Sequence, residues 1–368
     1  MLRVAIIGCG KIADQHVQAI NRIAGTTLAA VCDRELLMAE QLAGRAGHPP
    51  AFADVGAMLA AVRPDVVHIT TPPQGHFALG RQCLEAGSHV YLEKPFTITA
   101  GEAEDLVALA AARGRTLTAG HNLQFTLEML EMRRAVREGF LGGKPVHLES
   151  HFSYSLDDAS YVGPILGDPN HWVRRLPGQL LHNVVSHGIA KLAEFLDDDL
   201  EVVSAHGHQS PRLHRMGGAE VLDELRVHFR DRTGTTAYFC FSTQLRPGQN
   251  RLRIFGPANA LTIDHATGSL IRHRSRGDKS YLTYLLPPLR EAREQFAAAW
   301  RNARHLAGRR LYQDAGMREL IEQFYQSART GASPPIPMRE IVLTARIMDE
   351  IFRQIYSGRH SAATPPKS

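Results

Sequence analysis

A glycine-rich turn near the N-terminus has the residue types that bind a dinucleotide. Residues 8–13 read G-x-G-x-x-A and directly follow an apolar run. In such a turn Gly8 permits a tight bend, Gly10 lets the backbone approach a pyrophosphate, and the final alanine lets the next helix pack closely on the strand. That helix would present free N–H groups to the phosphates, beginning near Lys11 and Ile12.

An acidic residue at the end of the next apolar run supports the same interpretation. Asp33 follows Ala13 by 20 residues, which is the spacing at which a carboxylate accepts hydrogen bonds from ribose hydroxyls. Its negative charge disfavours a 2′-phosphate, so the sequence favours NAD. The neighbouring Arg34 can instead hold that phosphate, and NADP therefore stays open.

Lys94 has the chemistry needed beside a nicotinamide. Hydride transfer from a carbinol carbon requires a base for the hydroxyl proton and a cation or donor for the developing alkoxide. Lys94 follows Glu93 at the end of a predicted strand, where ligands of open α/β sheets bind. A positively charged nicotinamide nearby would depress its pKa and let it relay the proton. The alternative is a surface lysine in a turn stiffened by Pro95.

A predicted helix at 179–197 carries a second polar group. Asn183 and His187 are one turn apart and share a face, with His182 and Ser186 beside them. Histidine titrates near neutral pH and suits acid–base catalysis, and asparagine can bind a substrate hydroxyl. A solvated helix face is usually rich in Lys and Glu. This uncharged polar face therefore favours a cleft, with charge returning only at Lys191 and Glu194.

Other residues are weaker candidates. Cofactor contacts are predicted for Thr71, Pro72, His76, Glu93 and Asn122, which follow predicted strands. Trp172 is a candidate for the wall of a substrate pocket, or is part of the core. No metal site is predicted, because His206 and His208 lie on a probable strand without acidic or cysteine companions.

The elements around these residues predict two domains. Strands and helices alternate up to residue 121, which predicts a doubly wound parallel sheet. Strands then follow one another with few helices, which predicts an α+β domain with an open, mostly antiparallel sheet. We therefore expect a Rossmann domain at 1–121, a substrate-binding and oligomerisation domain at 122–358, and a disordered tail at 359–368.

Composition sets the broad class. The 368 residues are 44% hydrophobic and 21% charged, with a net charge of +5, as in an ordinary globular protein. The charge indicates neither nucleic acid nor a membrane, and no apolar run reaches the ~20 residues of a membrane span. Four cysteines without a CxxC pair, and a strand that begins beside Met1, suggest a cytoplasmic protein. Basic clusters at 272–279 and 301–310 are solvated faces or, alternatively, a docking surface for phosphorylated substrates.

Four motifs occur in an order that resembles a known family. They are G-x-G-x-x-A at 8–13, T-P-P-x-x-H at 71–76, E-K-P at 93–95 and G-H-N at 120–122. Together with Asn183 and His187, they resemble the glucose–fructose oxidoreductase and inositol dehydrogenase family, Gfo/Idh/MocA, over nearly the whole chain.

The resemblance implies a Rossmann domain, a second domain on an open sheet that often forms dimers or tetramers, and Lys94 and His187 as the catalytic pair. It also implies a secondary hydroxyl of a sugar, cyclitol (polyol) or nucleotide-linked sugar as substrate. Many members carry Asp where Asn183 stands, which leaves the proton path open.

Two other functions fit the same resemblance. One is a hydrolase or lyase that retains NAD and uses transient oxidation to labilise a glycosidic bond. The other is a non-enzymatic sensor that binds a dinucleotide and a protein partner, although the presence of Lys94 and His187 argues against it.

Overall fold

The structure is a computed structural model that describes residues 1–157, 159–217, 221–275, 280–282, 284–308 and 315–357. The tail predicted at 359–368 lies outside the described residues.

Short runs rich in Val, Ile and Leu alternate with helices through the N-terminal region. The elements are β1 (Leu2–Ile7), α1 (Ala13–Arg22), β2 (Thr26–Cys32), α2 (Leu36–Arg45), β3 (Ala51–Phe52), α3 (Val55–Val62), β4 (Val66–Ile69), α4 (His76–Glu85), β5 (His89–Leu92), α5 (Ala100–Ala112) and β6 (Leu117–Ala119). All strand pairs are parallel, in the order β3-β2-β1-β4-β5-β6. The strand order reverses between β1 and β4, which is where doubly wound sheets bind ligands. The predicted Rossmann architecture is confirmed.

After residue 122 the chain contains further helices and the strands of a second sheet. These elements are α6 (Leu127–Arg137), β7 (His147–Ser153), α7 (Ala159–Gly167), α8 (Gln179–Ala193), β8 (Leu200–His208), α9 (Pro211–Arg215), β9 (Glu224–Asp231), β10 (Thr236–Ser242), β11 (Asn250–Phe255), β12 (Asn259–Asp264), β13 (Ser269–Arg274), α10 (Leu286–Ala307), α11 (Ala315–Thr330) and α12 (Met338–Ser357). The order is β13-β12-β11-β7-β10-β9-β8, antiparallel except for the pair β7 and β10. The mostly antiparallel sheet predicted here is confirmed.

Strand β13 was not predicted from the sequence. Its residues 272–274 read Arg-His-Arg, a basic pattern typical of a solvated loop. The strand forms because residues 269–271 are buried and pair with β12, so only its basic end is left at the edge of the sheet.

The chain forms two compact units with a boundary that differs from the predicted one at the C-terminus. One unit comprises residues 1–122 and 316–346, and the other the remainder. From the sequence, residues 316–346 were expected in the second domain, at 122–358. Helix α11 belongs to the first unit because its apolar side packs there, with Phe324 6.0 Å from Tyr91 between ring centroids.

Candidate functional site

The glycine turn after β1 has the conformation that a phosphate-binding loop needs. Gly8 has φ +95°, and a Cβ there would lie 2.8 Å from the Thr71 backbone nitrogen. A Cβ on Gly10 would meet no heavy atom within 4 Å. The chain therefore packs against the sheet at Gly8 and leaves open space beside Gly10, which is the arrangement that lets a pyrophosphate approach the backbone.

Asp33 connects the end of β2 to this turn. Its Oδ2 accepts a hydrogen bond from the Cys9 N–H at 2.7 Å, and its Oδ1 accepts one from the Glu35 N–H at 3.0 Å. The side chain is only partly buried, so its remaining acceptor capacity is available to ribose hydroxyls.

A cavity of about 710 Å³ lies along this edge of the parallel sheet. Six of the predicted cofactor residues line it, namely Gly8, Gly10, Asp33, Arg34, Thr71 and Pro72. Lining residues that the sequence analysis missed include Met38, Asp54, Gln74 and Leu79. Met38 lies on α2 and Leu79 on α4, Asp54 caps α3 and Gln74 lies in a short 3-10 turn, and their neighbours in sequence form no recognisable pattern.

Other predicted cofactor residues do not line this cavity. Lys11 is exposed and Ile12 precedes the first turn of α1, while Glu93, Lys94 and Asn122 lie at the ends of β5 and β6. His76 is fully buried: its Nδ1 lies 2.9 Å from the Pro95 carbonyl oxygen and its Nε2 lies 2.9 Å from that of Thr71. It therefore joins the two strand-end loops.

Two buried polar atoms at the strand ends fit a bound dinucleotide. Thr71 Oγ1 and Asn122 Oδ1 have no hydrogen-bond partner among the described residues. Because a buried polar group without a partner costs ~1–3 kcal/mol, each is suited to a ligand that supplies the missing bond. With the open space at Gly10, these atoms fit NAD in this unit.

Lys94 follows β5, and its peptide bond to Pro95 is cis. Partial burial lowers the pKa of Lys94, while the adjacent Glu93 carboxylate acts in the opposite direction. A lysine with a lowered pKa can exchange a proton nearer neutral pH than a surface lysine.

Glu93 is itself held in the interior of this unit. Its Oε1 lies 3.1 Å from His16 Nε2, and its Oε2 accepts a hydrogen bond from the Lys94 N–H at 3.1 Å. A Cβ on Gly120 would lie 2.9 Å from Glu93 Oε1, so only glycine leaves room for the carboxylate. Burial acts to raise the pKa of Glu93, but the hydrogen bond from His16 and the positive charge of Lys94 outweigh it and lower that pKa.

Helix α8 of the second unit places the other predicted residues. His187 is partly exposed, with its ring centroid 6.3 Å from that of Phe152. Asn183 is buried, and the buried hydroxyl of Ser186 has no hydrogen-bond partner among the described residues. His182 is buried and stacks on Phe352, with ring centroids 4.9 Å apart.

Burial along α8 does not separate the apolar side from the uncharged polar side that the spacing predicts. Of its residues 180–193, all except His187 are buried. Lys191 is fully buried and donates a hydrogen bond from Nζ to Asn250 Oδ1 at 2.8 Å. The helix therefore runs through the interior of its unit, and His187 is the exception within 180–193.

The remaining candidates have local environments of their own. Trp172 starts a short 3-10 helix and is partly buried, 5.7 Å from His171 between ring centroids. His206 and His208 are exposed on β8. Within the described residues, there is no group of three or more His, Cys, Asp or Glu side chains placed to hold a metal ion. Among those residues, none of the helices has the length and apolar character to span a membrane.

Two models of one protein family match the chain. The model described as the oxidoreductase family, NAD-binding Rossmann fold, matches residues 2–121, and the model of the GFO/IDH/MocA C-terminal domain matches residues 129–262.

Individual relatives are similar over different lengths. D-glucoside 3-dehydrogenase of Escherichia coli is 38% identical over 142 residues, which cover 38% of this chain and only 40% of that protein. UDP-N-acetylglucosamine 3-dehydrogenase of Acidithiobacillus ferrooxidans is 29% identical over 75% of this chain and 78% of its own.

Solved structures share the whole fold. The structure of the A. ferrooxidans enzyme aligns with a TM-score of 0.72 at 21% identity, over 97% of this chain and 98% of that one. The WlbA dehydrogenase of Bordetella pertussis, in complex with NADH and UDP-GlcNAcA, aligns with a TM-score of 0.75 at 16% identity, over 97% and 96% of the two chains.

Proposed function

The chain belongs to the Gfo/Idh/MocA oxidoreductase family, and from this premise we propose that it is an NAD-dependent dehydrogenase or reductase acting on a secondary hydroxyl. The observation that carries the proposal is the combination, within one unit, of the cavity at Gly8, Gly10 and Asp33 with Lys94 at the end of β5. Bound NAD supplies the hydride acceptor, and the protein's own residues must bind it and move the hydroxyl proton.

Binding is assigned to the turn and the strand ends. The backbone around Gly10 and the first turn of α1 hold the pyrophosphate, since helix N-termini favour anions. Asp33 accepts hydrogen bonds from the ribose hydroxyls, and Asn122 and Thr71 offer their buried polar atoms to the ligand.

NAD is favoured over NADP by charge. A 2′-phosphate near Asp33 would meet a carboxylate whose position is fixed by two backbone N–H groups. Arg34, the residue that can offset this repulsion, is exposed and lies 3.6 Å from Glu35 in an ion pair.

Catalysis is assigned to Lys94 and His187, with Asn183 as the residue that binds a substrate hydroxyl. Lys94 stabilises the developing alkoxide at Nζ and exchanges the hydroxyl proton, for which its lowered pKa suits it. His187 is the second acid–base residue. Within 180–193 of helix α8, His187 alone is not buried, so its ring can be reached by a ligand. Asn183, unlike an aspartate, binds without adding a charge beside His187. His182 and Trp172 are proposed to shape the substrate pocket.

The substrate class is proposed by analogy with the named relatives. Their names describe 3-dehydrogenases of a D-glucoside and of UDP-N-acetylglucosamine, so a sugar or nucleotide-linked sugar is the expected substrate, and the family adds cyclitols. The same names describe dehydrogenases, which favours net oxidation or reduction over the NAD-retaining hydrolase, lyase or sensor alternatives.

A homo-oligomer is proposed on the basis of α10. Its polar side faces β13: Arg301 donates to the Leu270 carbonyl oxygen at 3.1 Å, and Asn302 Nδ2 donates to that of Thr267 at 2.7 Å. Its apolar side faces solvent, the reverse of an ordinary surface helix. The exposed large apolar residues of this segment are Tyr281, Tyr284, Leu285, Leu289, Phe296, Trp300 and Leu306. Their area is on the order of the ~800 Å² that one partner contributes to a standard interface, and a second copy is the proposed partner.

The experiment is a spectrophotometric screen of the purified protein with NAD and a panel of polyols, sugars and UDP-sugars, followed by mass spectrometry of the products. Net NADH formation with a keto product is expected. Cleavage of a glycosidic bond without net NADH would instead support the hydrolase or lyase function, and NAD binding without either product would support the sensor.

A further inference from the structure

A row of hydrogen-bonding side chains crosses the interior of the first unit and ends at Glu93. Tyr325 Oη lies 2.9 Å from His68 Nε2, His68 Nδ1 lies 2.7 Å from His16 Nδ1, and His16 Nε2 lies 3.1 Å from Glu93 Oε1. Tyr325, His68 and His16 are fully buried. Four elements contribute to the row, and the ends are far apart in sequence, so no local motif reveals it.

The chemistry of the groups fixes the direction of every hydrogen bond. An ionised carboxylate only accepts, so His16 Nε2 must carry the hydrogen that faces Glu93. In a neutral His16 the Nδ1 is then an acceptor, and His68 must donate from its own Nδ1. The His68 Nε2 is left as an acceptor, and Tyr325 must donate its hydroxyl hydrogen to it. All the hydrogens along the row therefore point toward Glu93.

A protonated His16 fits the hydrogen bonds of the row less well. If His16 were an imidazolium, it would donate from both nitrogens, and His68 would donate from Nε2 to Tyr325. The Tyr325 hydroxyl hydrogen would then have no acceptor among the described residues. Burial also keeps His68 neutral by lowering its pKa far below the ordinary range.

We propose that Tyr325, His68 and His16 are positioning residues that hold the Glu93 carboxylate ionised and in place beside Lys94, and so set the protonation of Lys94. Both carboxylate oxygens of Glu93 have partners, because His16 Nε2 lies 3.1 Å from its Oε1 and the Lys94 N–H donates to its Oε2. The inference rests on the proposed function only insofar as Lys94 is catalytic. The row itself does not depend on that function.

Breaking the row should change the pKa of Lys94 in one direction. The Glu93 charge favours the ammonium form of Lys94. Without the Tyr325 hydroxyl, no donor keeps the hydrogen of His68 off Nε2, so the second tautomer of His68 becomes accessible. In that tautomer His16 donates from Nδ1 to His68 and turns the lone pair of its Nε2 toward Glu93. The carboxylate then loses its donor and its pKa rises, and a protonated Glu93 no longer favours the ammonium form of Lys94, so the pKa of Lys94 falls.

The neighbouring residue Tyr91 provides a matched control. Its ring stacks on His68 with centroids 4.8 Å apart, yet its buried hydroxyl has no hydrogen-bond partner among the described residues. Tyr91→Phe and Tyr325→Phe therefore remove the same atom from the same cluster, but only Tyr325→Phe breaks the row. The other titratable groups near Glu93 and Lys94 are His76 and His121. Neither variant replaces them.

The test is NMR of the full-length protein. In ¹⁵N-histidine protein, we expect His16 to carry its hydrogen on Nε2 and His68 on Nδ1 at neutral pH. In ¹³C-lysine protein, the Lys94 Cε signal is titrated and assigned by its loss in Lys94→Arg. The sequence has only six lysines, which keeps the spectrum resolvable: Lys11, Lys94, Lys144, Lys191, Lys279 and Lys367.

We expect the Lys94 midpoint to fall in Tyr325→Phe and to fall further, by about half a pH unit or more, in His16→Leu, which removes the donor to Glu93. The midpoint should be largely restored in His16→Gln, which keeps a donor, and unchanged in Tyr91→Phe. Equal midpoints in Tyr325→Phe and Tyr91→Phe, or the opposite histidine tautomers, would overturn the inference. If these NMR results hold but the wild type transfers no hydride, the proposed function fails and the positioning row stands.

Discussion

Asp33 Oδ2 accepts the backbone N–H of Cys9 at 2.7 Å, which ties the acidic end of β2 to the centre of the glycine turn. One side chain thus links the two halves of the dinucleotide motif, the phosphate turn and the ribose acceptor. The carboxylate cannot swing away from a 2′-phosphate without giving up this bond.

Asp33→Asn is therefore expected to weaken NAD binding and relax discrimination against NADP. A hydrogen bond to a charged group contributes ~1.5–3 kcal/mol, so NAD affinity should fall by about tenfold or more. Isothermal titration with both cofactors measures the change, and the exposed Glu40→Gln on α2 is the control. An unchanged ratio of the NAD and NADP affinities would show that Asp33 does not bind the ribose hydroxyls.

The two glycines of the turn should respond differently to alanine. Gly8→Ala meets the Thr71 backbone and adopts φ +95°, so it should destabilise the protein by at least ~1–2 kcal/mol and abolish NAD binding. Gly10→Ala meets no heavy atom within 4 Å, so its unfolding temperature should match wild type while NAD binding is lost. Thermal unfolding and NAD titration of both variants separate the effects. Full NAD affinity in Gly10→Ala would contradict the assignment of the pyrophosphate to this turn.

Lys191 should make stability depend on pH. Burial lowers its pKa to about 7, although Glu128 and Asp264 act in the opposite direction. In the unfolded chain a lysine titrates near 10.4. Between these values the unfolded state binds more protons, so stability is expected to increase from pH 7 to pH 10, by at most ~3–5 kcal/mol.

Lys191→Met should lose this increase, whereas the exposed Lys144→Met should keep it. Urea unfolding at several pH values in this window tests the prediction. A wild-type stability that stays flat across the window would refute the buried, neutral lysine.

The exposed apolar side of α10 predicts a self-associating protein. Phe296→Glu or Trp300→Glu should lower the molecular mass measured by light scattering toward that of a monomer. Leu37→Glu, at an exposed apolar residue of α2, should leave the mass unchanged. A wild-type monomer, or an oligomer insensitive to both α10 variants, would be contrary to this interface.

The sequence predicted the periodic features of the molecule and missed those that depend on contacts distant in the chain. The alternation up to residue 121, the glycine turn and the family were all recognisable, because each has a local pattern. The resemblance to Gfo/Idh/MocA is confirmed by the family models. Helix α11 carries no local sign of the sheet that it packs against.

The sequence also did not reveal the buried polar residues. His16 and His68 are 52 residues apart, and their Nδ1 atoms lie 2.7 Å from each other. In the sequence each is a lone histidine with no second histidine in its own helix or strand. Lys191 was recognised only as a position where charge returns on the helix, and charge normally marks a surface. Such residues are recognised only when their partners are known.

The central claim is that Lys94 transfers the hydroxyl proton during hydride transfer to NAD. The most direct measurement is the single-turnover rate of NADH formation by wild type and Lys94→Ala with the best substrate of the screen, together with the NAD affinity of each. We expect Lys94→Ala to form NADH about 10²–10⁴-fold more slowly than wild type, with unchanged NAD affinity. The control variant Lys144→Ala should match wild type in both measurements. A Lys94→Ala enzyme that forms NADH at the wild-type rate would contradict it.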